Sequence, residues 1–177
     1  GFWCEGVFSH YYWGTLPPGA KPTICNNIIT DNNSPYAGII RWLGGPVLNN
    51  IFSDNKGPIV WGSGETFAGN IIVKNYRSGL RGYSGVISAN TFFRNYANPT
   101  LSGCSGYVIN NIIADNGINE FGGITGCDGV VVNCIIYGNF AGSSGQISNS
   151  YPVYSCVEGL TEGSGNINTD PLFVDPR

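Results

Sequence analysis

One phrase recurs along this chain and decides what it can fold into. It reads Asn-Ile-Ile-x-x-Asn and occurs at Asn27–Asn32, Asn50–Asn55, Asn70–Asn75, Asn90–Asn95 and Asn111–Asn116, with a sixth copy at Cys134–Asn139 that begins on Cys. The steps between copies are 20 to 23 residues. A fixed period in this range marks a repeat architecture in which each unit buries its apolar face only against its neighbours.

Taking the first Asn of each phrase as the reference, the positions three before it are Ile24, Val47, Phe67, Ile87, Val108 and Val131. The positions two after it are Ile29, Phe52, Ile72, Phe92, Ile113 and Ile136. Both columns are apolar throughout and lie five residues apart, so strict alternation cannot put them on one face of a straight strand. A corner at Asn, which tolerates left-handed backbone, can. A third apolar column, Ile39, Ile59, Leu80, Leu101 and Ile124, completes the unit. Three short strands and three turns per unit predict an all-β fold, a right-handed parallel β-helix. Stacking at about 4.8 Å then lines identical residues along the axis, so Asn27, Asn50, Asn70, Asn90 and Asn111 are expected to hydrogen-bond as a ladder.

The two ends are disguised. Gly6 and Cys156 continue the reference column by count, with Trp3 and Phe8 in the apolar columns of the first coil, which gives about eight coils. Residues 1–158 are therefore expected to form the coils. Gly159–Arg177 breaks the period and is expected to cap the last coil through Leu172, Phe173 and Val174. The stretches after the second Asn (residues 33–38, 56–58, 76–79, 96–100, 117–122 and 140–145) vary in length and read as loops.

The six cysteines share the period. Cys4 and Cys25, Cys104 and Cys127, and Cys134 and Cys156 each occupy one column in adjacent coils by count. The coil spacing lies within the Cα separation a disulfide accepts, so bridges 4–25, 104–127 and 134–156 are expected, and with them an oxidising, extracellular or cell-surface location. A thiolate zinc site finds no support, because no Cys-x-x-Cys is present and His10 is the single histidine. With 11% charged residues and a formal net charge of −3, the chain has no basic face for nucleic acid. No apolar run has the length of a membrane span. The chain opens on Gly1 with no signal-like segment, which reads as a processed chain or a fragment.

Two resemblances can be attached to particular residues. The Asn-Ile-Ile-x-x-Asn coils resemble the pectate-lyase-like superfamily of parallel β-helices. The stretch Tyr154–Gly159 followed by Gly165–Pro176 resembles the choice-of-anchor Q domain that closes β-helices in secreted and surface-anchored bacterial proteins. The first implies a fold that hosts polysaccharide lyases, which use Arg or Lys, often with Ca²⁺, on uronates. The second implies a location.

Candidate chemistry is sparse. Four residues after the reference Asn, the chain reads His10, Asp31, Asp54, Lys74, Arg94, Asp115 and Gly138, a column expected to pair Asp54 with Lys74 and Arg94 with Asp115. Asp31 above Asp54 is also a candidate Ca²⁺ pair or an acid–base pair on a glycosidic bond. Arg77 and Arg81 complete the catalytic set of an enzyme reading. Glu120 and Asp128 are further acids on turns. Trp42, Trp61, Tyr11, Tyr12 and Trp13 are candidate sugar-stacking aromatics. Asn32 heads the one Asn-x-Ser glycosylation sequon. A flat Thr-rich column of the ice-binding kind is absent. Short loops favour a non-catalytic extracellular structural β-helix (a stalk, surface layer or filament unit, contacting adjoining coils and glycans) with no cofactor. The alternative is a carbohydrate-active enzyme on an acidic polysaccharide, with Ca²⁺ as its cofactor.

Overall fold

In the computed structural model, residues 8–9, 21–34, 38–41, 43–62, 64–77, 79–96, 99–117, 122–140 and 145–174 are described. They form a parallel β-solenoid of about six turns, built of strands two or three residues long in three sheets. Sheet A contains Phe8–Ser9, Ile40–Arg41, Val60–Trp61, Leu80–Arg81, Leu101–Ser102, Ile124–Thr125 and Ile147–Ser148. Sheet B contains Ile24–Cys25, Val47–Leu48, Thr66–Ala68, Val86–Ser88, Tyr107–Ile109 and Val130–Val132. Sheet C contains Ile28–Thr30, Ile51–Ser53, Ile71–Val73, Thr91–Phe93, Ile112–Ala114, Ile135–Tyr137 and Cys156–Val157. Each turn runs B, C, A, and every pairing between turns is parallel.

The strand is short because one inward side chain per strand is all the interior needs. In sheet C the middle residues Phe52, Ile72, Phe92, Ile113 and Ile136 are buried, while their neighbours on both sides point out. Phe67 stacks between Phe52 and Phe92, with ring centroids 6.1 and 6.4 Å away, so the predicted columns meet as one core.

The strands of sheet B, and those of sheet C from Ile28–Thr30 to Ile135–Tyr137, are each followed by a residue in left-handed conformation and then by one inward side chain. At the B–C corner the left-handed residues are Asn26, Asn49, Gly69, Ala89, Asn110 and Asn133. The corner strain therefore falls on the residue before the ladder Asn, not on the ladder Asn as expected. The ladder amide compensates the bend. Asn90 Oδ1 accepts from the backbone N and Nδ2 of Asn70 at 2.9 and 3.0 Å, and Asn90 Nδ2 donates to Phe67 O at 2.8 Å and Asn111 Oδ1 at 3.0 Å.

Several positions differ from the sequence reading. The described residues make six complete coils, not eight. Phe8 pairs with Ile40 in sheet A rather than joining the Ile29 column, because the stretch between Ser9 and Ile24 is too long for one ordinary turn of the period. Gly6 and Trp3 lie outside the described residues. The third apolar column runs Ile40, Val60, Leu80, Leu101, Ile124, Ile147; Ile39 and Ile59 are buried one residue earlier, where later coils have Gly79 and Gly123.

At the C-terminal end, Cys156 pairs with Ile135, and Cys134 therefore faces Ser155. The Ser155 hydroxyl accepts from the Cys134 backbone N at 3.1 Å, taking the ladder place, and Tyr154 before it is left-handed like every other residue before a rung. Segment 164–168 then adds one more partial rung. Val157 N donates to Ile167 O, Ile167 N to Ser155 O, and Ser155 N to Asn166 Oδ1, at 2.9–3.0 Å. This end is thus covered by Asn166, Ile167 and Asn168. Leu172 and Val174, expected in the cap, are exposed.

Candidate functional site

The sequence phrase contains two Asn, and both build ladders. The second runs Asn32, Asn55, Asn75, Asn95, Asn116 and Asn139 along the C–A corner, where the sequence suggests only the start of a loop. Asn75 Oδ1 accepts from Asn55 N and Nδ2, and Asn75 Nδ2 donates to Asn95 Oδ1 and Phe52 O at 2.9–3.0 Å. Gln146 closes it: Oε1 accepts from Asn139 N and Nδ2, and Nε2 donates to Glu158 Oε2 at 2.8 Å. Asn32 is the first rung. Its Nδ2 donates to Thr30 O and Asn55 Oδ1, and Ser34 of the sequon is buried, so the amide nitrogen a glycan would need is already engaged.

The left-handed residues of this corner are Asp31, Asp54, Lys74, Arg94, Asp115 and Gly138. The charged column is therefore real, and it forms the rim of the outer face of sheet C. Asp31 is held towards that face by Thr30, whose hydroxyl lies 3.2 Å from Oδ2, and the Arg94 guanidinium sits 4.8 Å from the Phe93 ring centre. The expected pairs Asp54–Lys74 and Arg94–Asp115 do not close as salt bridges. The described salt bridge is Lys21–Glu65, elsewhere. The rim side chains stand at the corner, where Lys74, Arg94 and Asp115 line one groove without closing a salt bridge.

Beside the rim, the outer face of sheet C carries a column that starts with the hydroxyls of Thr30 and Ser53 and continues with Val73 and Phe93, and next to it an apolar column. Ile28, Ile51 and Ile71 are 73, 37 and 46% exposed, and Thr91, Ile112 and Ile135 continue the column half-buried. This column, one residue before the buried one, is a stripe on the outer face and not at a corner.

The enzyme candidates are dispersed. Asp31 and Asp54 lie in the first two coils on the sheet C rim. Arg81 lies on the outer face of sheet A, where its guanidinium and that of Arg41 lie 5.3 and 5.9 Å from the Trp61 ring centre. Arg77 is exposed on the segment between sheets C and A. Two carboxylates fall short of the six to eight oxygens Ca²⁺ takes, and among the described residues no group of three His, Cys, Asp or Glu gathers. Lys74, Arg94, Asn95, Tyr96, Asp115 and Gly117 line a groove of about 260 Å³. Tyr76 and Tyr96 stack with centroids 4.9 Å apart beside it, an aromatic pair that the sequence does not single out although both follow a ladder Asn directly. Trp42, Tyr11, Tyr12, Trp13, Glu120 and His10 lie outside the described residues. Among the described residues no helix is long and apolar enough to cross a membrane.

At the A–B corner the inward column is Tyr83, Cys104, Cys127 and Ser150. The described cysteines carry free thiols. Cys104 and Cys127 are neighbours in this column, their thiols directed to Ser102 O and Thr125 O, and the nearby Cys127 together with burial pushes the Cys104 thiol up. Burial also raises the Cys134 thiol. Tyr83 is raised by burial and by the nearby Cys104 and Glu65, and its hydroxyl has no partner among the described residues. Cys134 and Cys156 are out of register by one, which puts their side chains on opposite faces. Cys4 lies outside the described residues, and its expected partner Cys25 is exposed. Comparison with protein-family models, characterised proteins and solved structures yields no match.

Proposed function

We propose that this chain is a non-catalytic structural β-helix of an extracellular or cell-surface assembly, making contact with adjoining coils. The observation that carries the reading is the dispersal of its charged groups. Of those named for catalysis, Asp31 and Asp54 share one column on the sheet C rim, Arg77 lies on the segment between sheets C and A, and Arg81 lies on the outer face of sheet A, so the cations and the carboxylates are set on different parts of the prism. The backbone and both amide ladders instead serve cohesion along the axis. The resemblance of the C-terminal stretch to the choice-of-anchor Q domain, and of the coils to the pectate-lyase-like superfamily, supports a secreted β-helix and the surface location. Incubation with pectate, alginate and hyaluronan, with and without Ca²⁺, is expected to give no depolymerisation, while light scattering and electron microscopy of the native protein are expected to show end-to-end association. Depolymerisation lost in Arg77→Ala or Asp54→Asn would overturn the reading.

A second reading has its own support. Arg41, Trp61 and Arg81 stack on one face, and Lys74, Arg94 and Tyr96 line a groove. Guanidinium groups beside aromatic rings suit an acidic sugar. Under this reading the protein binds or cleaves an acidic polysaccharide, and Arg81→Ala abolishes retention on an immobilised uronate polymer.

A further inference from the structure

We propose that the outer face of sheet C is a self-complementary docking surface on which a second copy of this chain lies with its solenoid axis antiparallel. The inference goes beyond end-to-end contact and concerns a different part of the molecule. It rests on three observations: an exposed apolar column, a rim of charges that close no salt bridge among the described residues, and the order of those charges.

Read along the axis, the rim is Asp31, Asp54, Lys74, Arg94, then Asp115 and Gly138. A two-fold axis lying in the face and perpendicular to the solenoid maps each column onto itself with its order reversed. If that axis falls between the coils of Asp54 and Lys74, Asp54 meets the second copy's Lys74 and Asp31 meets its Arg94, and each contact occurs twice. The same operation sets Ile51 against Ile71, and Ile28 against Thr91, so the most exposed isoleucines are covered.

Shifting the axis to the coil of Lys74 puts Lys74 on Lys74 and Asp31 on Asp115. Shifting it between Lys74 and Arg94 opposes cation to cation and Asp54 to Asp115. Shifting it between Arg94 and Asp115 leaves one kind of opposite-charge contact and leaves Ile28 and Ile51 uncovered. A parallel arrangement would set the charged rim against the neutral B–C corner, whose residues are Asn26, Asn49, Gly69 and Ala89. The charge order therefore selects one register as well as one orientation, and isologous contacts of this kind close after two copies.

Four strands at about 4.8 Å by three residues and a rim make a patch of about 19 by 13 Å, smaller than a standard specific interface. The pairing is accordingly weak and concentration-dependent, and suited to lateral contact between stacked prisms. The Arg94 guanidinium already lies over the face, on Phe93, within reach of a partner laid on it.

Charge exchange tests this directly. Positions 54 and 74 both have φ 56°, one holding Asp and the other Lys, so each backbone already accepts either kind of side chain. Sedimentation equilibrium of the native protein is expected to show a monomer–dimer equilibrium that weakens with salt. Asp54→Lys or Lys74→Asp alone should weaken it about tenfold or more, by placing like charges across the axis. The double exchange should restore it, because opposite charges then face each other again with their positions swapped. Ile71→Lys should abolish it without affecting end-to-end association seen by electron microscopy. A monomer at the highest soluble concentration would overturn the proposal and leave the face to a different partner. So would single exchanges that associate as the native protein does, or a double exchange that fails to recover while its unfolding midpoint is unchanged.

Discussion

The two corners that flank sheet C and the corner that joins sheet A to sheet B solve the same problem by different means. Each must turn the chain through a left-handed residue and still satisfy the backbone groups the turn releases. The flanking corners do so with a buried amide per coil, and the carboxamide supplies the acceptor and donors that the bend removes. The A–B corner has Gly62, Gly82, Gly103 and Gly126 in the left-handed place, and its inward residues are Tyr83, Cys104, Cys127 and Ser150. It turns through close backbone approach instead. A Cβ on Gly106 would fall 2.1 Å from Gly85 O, and one on Gly129 1.9 Å from Gly106 O. The amide corners are specified by side-chain hydrogen bonds and repeat strictly. The glycine corner is specified by absence of side chains and leaves its inward column free to vary.

The sharpest test of that contrast is the removal of one central rung. Asn90→Ala takes the rung amide away from Asn70 N and Phe67 O in a buried site, while Asn70 Nδ2 keeps Val47 O and Ala68 O. Uncompensated buried groups cost about 1–3 kcal/mol each, so a loss of about 3 kcal/mol or more is expected in urea unfolding. Asn27→Ala, at the exposed end of the same ladder, removes only the Nδ2 bonds to Cys25 O and Asn50 Oδ1, which water replaces, and is expected to cost under about 1 kcal/mol. Equal losses at the two positions would show that the ladder does not act through burial.

The glycine corner offers a covalent counterpart. Cys104 and Cys127 face each other in adjacent coils, whereas Cys134 and Cys156 do not share a column. Mild oxidation of the native protein is expected to join 104 to 127 and to leave 134 and 156 unlinked on non-reducing peptide mapping. Closing a loop of about 20 residues is worth about 3 kcal/mol in the chain-entropy model. A 134–156 bridge would mean that the C-terminal rung shifts by one residue in solution.

The reach of the sequence differs between these regions for the same physical reason. The reference Asn, the columns Ile24 to Val131 and Ile29 to Ile136, and the shared column of Cys104 and Cys127 are all legible, because stacked coils repeat whatever each coil needs most. The second ladder stands in the same phrase. It reads as a loop start because Asn32, Asn55 and Asn75 precede segments of changing length, and burial of the Asn itself has no local signature. The displacement at Cys156 arises because a hydroxyl can take the amide's place. Counting residues finds Cys156, while the left-handed Tyr154 and the inward Ser155 fix the register only when hydrogen bonds are seen. The rim Asp31, Asp54, Lys74, Arg94 is visible as a column. That its members close no salt bridge among the described residues is not: a charge column reads as neighbour pairs until the corner geometry is seen.

A small predicted effect of the opposite sign lies where the first ladder ends. Cys134 occupies the place of a rung after Asn111, with Sγ 3.5 Å from Val108 O and 3.3 Å from Val132 O. Those carbonyls correspond to Ile87 O and Ile109 O, which accept from Asn111 Nδ2 one coil earlier at 2.8 and 3.0 Å. The site borders a groove of about 520 Å³, so a slightly larger side chain has room. Cys134→Asn is therefore expected to extend the ladder, with Nδ2 donating to Val108 O and Val132 O and Oδ1 accepting from Asn111 N, for a gain of about 1 kcal/mol in urea unfolding at neutral pH. The same variant changes the alkaline limb. Burial raises the thiol of Cys134 above its unfolded value, so the fold prefers the protonated form. That contribution is complete below about pH 8.5 and is lost as pH climbs from there towards the folded-state value. The native protein should lose stability over that window, and Cys134→Asn should lose less of it. A variant that is destabilised at neutral pH, or that falls as steeply as the native protein above about pH 8.5, would show that the ladder stops at Asn111 because this coil cannot accept an amide.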